Sequence, residues 1–175
     1  MSVDLFLYSP RRDVPTRRQL WTLLEKKGWQ VLFVSDWPNT TIAEEGRLSN
    51  DLLIGCENAE GIAEVRALLS KGDVKAVDAL LGQERFGNCA LSIESPCEVD
   101  EDQIAETAEA IGKEAAGLMR QARTLYSLTW KGASTGKSGY LANEVWRILG
   151  KLCGGLLEDP QTGEGFIASA EEDSG

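Results

Sequence analysis

The sequence contains no histidine among its 175 residues. Histidine is the commonest general base in enzymes and the commonest metal ligand, because its charge changes near neutral pH. Its absence excludes Ser-His-Asp and Cys-His catalysis by this chain alone. It also removes the ligand that completes many zinc sites. The sequence therefore predicts no catalytic residue, no metal and no cofactor.

Cysteine is present but lacks the spacing of a metal or redox motif. No two of Cys56, Cys89, Cys97 and Cys153 form a Cys-x-x-Cys pair, and without histidine no zinc-binding pattern results. Free cysteine is among the residue types most often buried in cores. Reduced thiols are typical of cytosolic proteins, so we expect a cytoplasmic location.

Long hydrophobic runs and clustered positive charge are scarce. No apolar segment approaches the roughly 20 residues of a membrane helix, and Asp4 with the arginines that follow does not fit a signal peptide. The net charge of −10 repels nucleic acids and anionic membranes, because phosphate binding needs clustered Lys and Arg. The same charge attracts a basic protein and accelerates the encounter.

Hydrophobic periodicity predicts an α+β fold. Strands and helices are mixed, and no helix separates the second strand from the third. This order favours a mixed sheet of about five or six strands covered by about four helices. We expect a single domain over residues 1–168, followed by an acidic flexible tail over 169–175. The predicted helices lie near residues 16–28, 59–81, 101–122 and 139–153, and the second of them breaks at residues 71–73. The helical period predicts burial of six residues: Ile104, Ile111, Leu118, Leu141, Val145 and Leu149.

The segment Gly132-Ala-Ser-Thr-Gly136-Lys137-Ser138 follows a predicted strand and precedes a predicted helix, as a phosphate-binding loop does. Such a loop needs about four residues between its glycines to surround the phosphates, and here there are three. We therefore expect no nucleotide binding, and Ser138 fits a helix N-cap. One alternative stays open, in which Lys131 and Lys137 of a small enzyme or anion-binding protein hold an anion at the helix N-terminus.

The least regular stretch, residues 36–51, has the features of a protein-binding loop. It contains Trp37, Glu44, Glu45 and Asp51 and has no evident core role. Tryptophan is enriched at the centre of interfaces, where its burial supplies affinity. Carboxylates around it would attract a basic partner. We therefore predict that this loop contacts the partner.

An acidic run offers a second candidate contact. It includes Asp100, Glu101, Asp102 and Glu106 at the start of a predicted helix. The alternative is structural, since carboxylates stabilise the positive end of a helix and its solvated face. Charge complementarity with a basic protein would use the same residues.

The five tryptophans are many for this length. Trp21 and Trp146 lie at the edges of the apolar faces of their predicted helices, and this position predicts that each is partly exposed. Core packing is the alternative for any one of these side chains.

The segment Gly154-Gly-Leu-Leu-Glu-Asp-Pro-Gln-Thr-Gly163 follows the helix that contains Trp146. It resembles the ending helix, Gly-Gly, short strand, Asp-Pro-Gln-x-Gly of small bacterial α+β proteins, some of which look like toxin-immunity proteins. The resemblance spans residues 126–166 and implies an inhibitor that neutralises a basic cognate toxin or effector. Two other functions stay open: the anion-binding protein or enzyme described above, and a housekeeping subunit of a larger assembly.

Overall fold

The computed structural model describes residues 2–35, 41–42, 46–132 and 136–170. These residues form eight strands, one of which has only two residues, and six helices. The strands are β1 (Ser2–Ser9), β2 (Val31–Ser35), β3 (Thr41–Ile42), β4 (Leu52–Cys56), β5 (Gly87–Glu94), β6 (Thr124–Lys131), β7 (Gly155–Asp159) and β8 (Glu164–Ala168). The helices are α1 (Arg17–Lys26), α2 (Ala59–Ser70), α3 (Val74–Leu81), α4 (Glu101–Ala110), α5 (Lys113–Gln121) and α6 (Lys137–Cys153).

All the strands belong to one sheet, in the order β3-β2-β4-β5-β6-β1-β7-β8. Every neighbouring pair is antiparallel. The predicted α+β class is therefore confirmed, whereas the predicted mixed sheet of five or six strands is wrong both in strand number and in strand direction. The reason for the direction is that α2 with α3 and α4 with α5 each connect two strands that are direct neighbours, so the chain reverses direction. The helices α1 and α6 instead cross over to strands that are not neighbours.

The helix count exceeds the predicted four because the segment 59–81 counts as two helices and the segment 101–122 is divided. The break predicted at residues 71–73 is confirmed: α2 ends at Ser70, and the Asp73 carboxylate caps α3 by accepting a hydrogen bond from the Ala76 N–H at 3.1 Å. The segment 101–122 breaks at Gly112, whose φ is +113°. This backbone conformation is strained for any residue with a side chain.

The larger core lies on one face of the sheet, beneath α1 and α6. Predicted burial is confirmed for Leu141, Val145 and Leu149 in α6 and for Ile104 in α4. Ile111 and Leu118 are only partly buried. The break at Gly112 explains this difference, since α4 and α5 do not share one continuous apolar stripe.

Two separate helical pairs cover the opposite face. The pair α2 and α3 packs on Leu32 and Val34 of β2, and the pair α4 and α5 packs on Tyr8 of β1 and Leu156 of β7. Between them, the central strands carry short side chains that are exposed or half-exposed: Ala90 and Ser92 of β5, and Ser127 and Thr129 of β6. The middle of this face therefore stays open.

Within the described ranges, no helix is long and apolar enough to cross a membrane. Of the predicted acidic tail, residues 169–170 follow β8 without regular structure, and residues 171–175 lie outside the described residues.

The backbone conformation at position 112 is expected to require glycine. An added Cβ would meet no atom within 4 Å at Gly112 or at Gly117, which lies inside α5, so sterics do not separate the two sites. Gly112→Ala should lower the free energy of unfolding by about 1–3 kcal/mol. Gly117→Ala, the matched control, should raise it by about 0.5–1 kcal/mol. Urea denaturation followed by tryptophan fluorescence measures both, and two changes of the same sign would contradict the assignment.

Candidate functional site

The open middle of the sheet forms the floor of a groove of about 840 Å³. Leu53, Ala90 and Thr129 lie side by side on that floor, because Leu53 pairs with Ala90 and Ala90 pairs with Thr129 across β4, β5 and β6. Leu81 and Phe86, from the end of α3 and the turn after it, supply an apolar wall. Concave apolar surfaces with a few polar groups are the usual form of binding sites.

Three carboxylates line this groove: Asp51, Asp78 and Glu84. All three residues are exposed, and within the part of the chain that the structure describes none of these side chains has a hydrogen-bond or ion-pair partner. The exposed Lys131 is the unpaired cation among the described lining residues. The groove therefore carries more unpaired negative than positive charge, which favours a cationic ligand.

Asp51 is positioned by the turn that precedes β4. Its φ of +58° lies in the left-handed region, where Asp and Asn are tolerated better than other residues with side chains. The neighbouring Asn50 side chain accepts a hydrogen bond from the Ile93 N–H at 3.1 Å, which ties the turn to β5. The structure therefore places this sequence-predicted residue in the groove.

The other predicted residues of the loop, Trp37, Glu44 and Glu45, lie outside the described residues. No sequence pattern selects Asp78 or Glu84 as a site residue. Asp78 lies on the exposed face of α3 and Glu84 in the turn after it, and no spacing in the sequence links either residue to Asp51.

The second predicted cluster lies on α4, and the structure does not bring it to the groove. Asp100 caps α4 by accepting a hydrogen bond from the Gln103 N–H at 2.8 Å, and Glu101 pairs with Arg120 at 3.2 Å. Asp102 and Glu106 are exposed. Two of the four residues thus have the structural roles that the sequence offered as the alternative.

The start of α6 differs from the prediction. Gly136, not Ser138, is the N-cap residue. The Ser138 hydroxyl instead accepts a hydrogen bond from the Asn88 N–H at 3.0 Å. The Lys137 ammonium donates to the Glu57 carboxylate at 3.0 Å and to the Arg85 carbonyl oxygen at 2.6 Å. The loop end therefore ties α6 to β4 and β5, and the charge of Lys137 is already paired.

Of the four tryptophans that the structure describes, Trp130 and Trp146 lie in the core, and Trp21 and Trp29 pack partly buried against it. Trp146 is only 3% exposed and donates its indole N–H to the Phe6 carbonyl oxygen at 2.8 Å, so the predicted exposure of Trp146 is wrong. Trp21 is partly exposed, as predicted. Trp130 belongs to the core beneath α6, and its Nε1 is buried without a hydrogen-bond partner among the described residues.

The cysteines are free thiols that pack in or against the cores. Burial raises the pKa of Cys56 and raises that of Cys153 to about 11, which disfavours the reactive thiolate. No group of three or more Cys, Asp or Glu side chains within the described ranges is arranged to hold a metal ion.

Comparison with known proteins finds no matching family model, no significantly similar curated protein and no significantly similar solved structure.

The pair formed by Lys137 and Glu57 is expected to stabilise the junction between α6 and the sheet. Lys137→Met should lower the free energy of unfolding by up to about 1 kcal/mol, whereas Lys131→Met, the control at an unpaired lysine, should leave it nearly unchanged. The effect should depend on pH. The Asn58 N–H and then the Lys137 ammonium lower the pKa of Glu57 below 4.5.

A carboxyl whose pKa is lowered on folding stabilises the protein fully above its ordinary value, and this contribution is lost as the pH falls through the lowered value. The difference between wild type and Lys137→Met should therefore shrink below about pH 4.5. It should not vanish, since Lys137 also bonds the Arg85 carbonyl. Urea titrations of both proteins at neutral and acidic pH measure this difference in the free energy of unfolding. A difference that grows on acidification would refute this role of Glu57.

Proposed function

We propose that this chain is a protein-binding module of the immunity type, which acts in the cytoplasm and neutralises a basic toxin or effector domain. The observation that carries the proposal is the groove on the open face of the sheet, with its apolar floor and three unpaired carboxylates. The resemblance of residues 126–166 to small proteins that look like immunity proteins points to the same class.

Charge and shape contribute differently to such binding. The net charge of −10 steers a cationic partner toward the surface. Affinity, however, depends on contacts that exclude water at the centre of an interface. Leu53, which is partly exposed, and Ala90, which is exposed, supply accessible apolar surface beside the carboxylates. A lysine or arginine of the partner suits this arrangement, because its aliphatic stem can cover apolar surface while its charge meets a carboxylate.

Asp51 joins the groove to the predicted contact loop, since it ends the segment 36–51 and also lines the groove. The proposed interface therefore consists of the groove together with the loop residues Trp37, Glu44 and Glu45. The acidic run on α4 is the second candidate surface, and its distance from the groove in the fold makes the two separable by mutation.

The function is tested by neutralising the groove. The groove variant combines Asp51→Asn, Asp78→Asn and Glu84→Gln. The control combines Asp102→Asn, Glu106→Gln and Glu109→Gln, which changes the net charge equally on the exposed face of α4. Asparagine at position 51 tolerates the left-handed backbone, so that change removes charge alone. Wild type and both variants are used to capture partners from host extract, and association with the captured protein is then measured over a range of salt.

Wild type and control should capture the same basic protein and restore growth when it is co-expressed. The groove variant should associate roughly tenfold more slowly at low salt and show a flatter salt dependence. Loss of binding in the α4 control alone would move the interface to the second candidate surface. Capture of a metabolic assembly whose members do not impair growth would favour the housekeeping alternative.

A further inference from the structure

The strand β8 is an exposed edge of the sheet. It pairs with β7 on one side, and no described residue pairs with its other side. An unpaired edge presents a row of backbone N–H and C=O groups that can bond another strand. At the opposite end of the sheet, β3 has only two residues. Among the described strands, β8 is therefore the edge long enough to receive an extended partner.

The edge carries apolar side chains on both faces of the sheet. Phe166 is 47% exposed and Ile167 is 49% exposed. Phe166 pairs with Leu157 of the core beneath α6, whereas Ile167 pairs with Leu156 of the core beneath α5. A strand added outside β8 would therefore find one apolar neighbour on each face, and such cross-strand pairs stabilise a sheet.

Natural proteins usually protect edge strands with lysine, proline, bulges or covering loops. The strand Glu-Gly-Phe-Ile-Ala contains no lysine and no proline. Its single charged residue, Glu164, lies at the end beside the turn. Among the residues that the structure describes, nothing supplies the usual protection of this edge, which is typical of a strand that receives a partner strand.

Charge decides which occupant fits. Asp159 and Glu164 lie at one end of β8. Each copy of the chain carries a net charge of −10, and like charges oppose the pairing of two copies. A basic segment, by contrast, would be attracted to the carboxylates at this end of the strand.

We propose that β8 binds an extended, basic segment of a partner protein, which adds to the sheet as one more strand. Backbone hydrogen bonds to β8 supply part of the affinity, Phe166 and Ile167 contact alternate apolar side chains, and the flanking carboxylates select lysine or arginine. This surface lies apart from the groove, and the inference does not depend on the function proposed for the groove.

The probe is a short fluorescent peptide of alternating lysine and valine, with blocked ends. A peptide of alternating glutamate and valine controls for charge. Binding to the full chain is followed by anisotropy, and hydrogen–deuterium exchange of residues 164–168 reports where the peptide lies. The lysine peptide should bind, and it should slow exchange of the β8 amides that do not bond β7. The glutamate peptide should do neither.

Ile167→Thr keeps a β-branched side chain but removes its apolar end, and it should weaken binding of the lysine peptide roughly tenfold. The control is Tyr140→Thr, because Tyr140 is 57% exposed on α6 away from β8. It should not change binding. The groove variant described above should also leave the slowed exchange in β8 intact.

Three results would overturn the proposal. The first is absence of slowed exchange in β8 at saturating lysine peptide. The second is loss of that slowing in the groove variant, which would place the peptide in the groove. The third is a dimer of the free chain, seen by light scattering, that Ile167→Thr converts to monomer, since this would make a second copy the occupant.

Discussion

The alternation of side chains along β6 is the constraint on which the rest of the structure depends. Tyr126, Leu128 and Trp130 face α6, so Ser127 and Thr129 must face the other side. Short side chains there offer too little apolar area to hold a helix. The helical pairs α2–α3 and α4–α5 therefore pack over the two ends of the sheet, where larger side chains project. The strand β5 alternates in the same way, with Ala90 and Ser92 on the face away from α6. The groove lies between the helical pairs, over these short side chains.

The largest pKa shifts are caused by burial in the cores. Burial raises the pKa of Tyr8, Tyr126 and Cys153, and these groups lie in the cores on the two faces of the sheet. A catalytic site would instead combine such shifts with a cleft and a specific charged partner. The groove combines an apolar floor with unpaired carboxylates, a composition that suits the recognition of a cationic group.

Features that depend on local periodicity could be predicted from the sequence, whereas the directions of the strands in the sheet could not. The periods predicted the burial of Leu141, Val145 and Leu149 in α6 correctly, although they wrongly placed Trp146 partly at the surface. The apolar repeat of Ile104, Ala108, Ile111 and Ala115 continues across Gly112, so periodicity alone could not show the break. Strand direction depends on which strands become neighbours, and no pattern within one strand encodes this. For the same reason Asp51 could be selected from its loop, whereas Asp78 and Glu84 joined it only through tertiary packing.

The two proposed surfaces use different chemistry, and the fold keeps them apart. The groove floor ends at β6, and β1 and β7 separate it from β8. With roughly 4.8 Å between neighbouring strands, the separation across the sheet is on the order of 14 Å. On the groove's face, α4 and α5 cover the strands in between. One partner can reach both surfaces only with separate segments, one that offers side chains to the groove and one that offers backbone to β8. Two moderate contacts joined in this way bind more tightly than either alone, because the second becomes intramolecular once the first has formed.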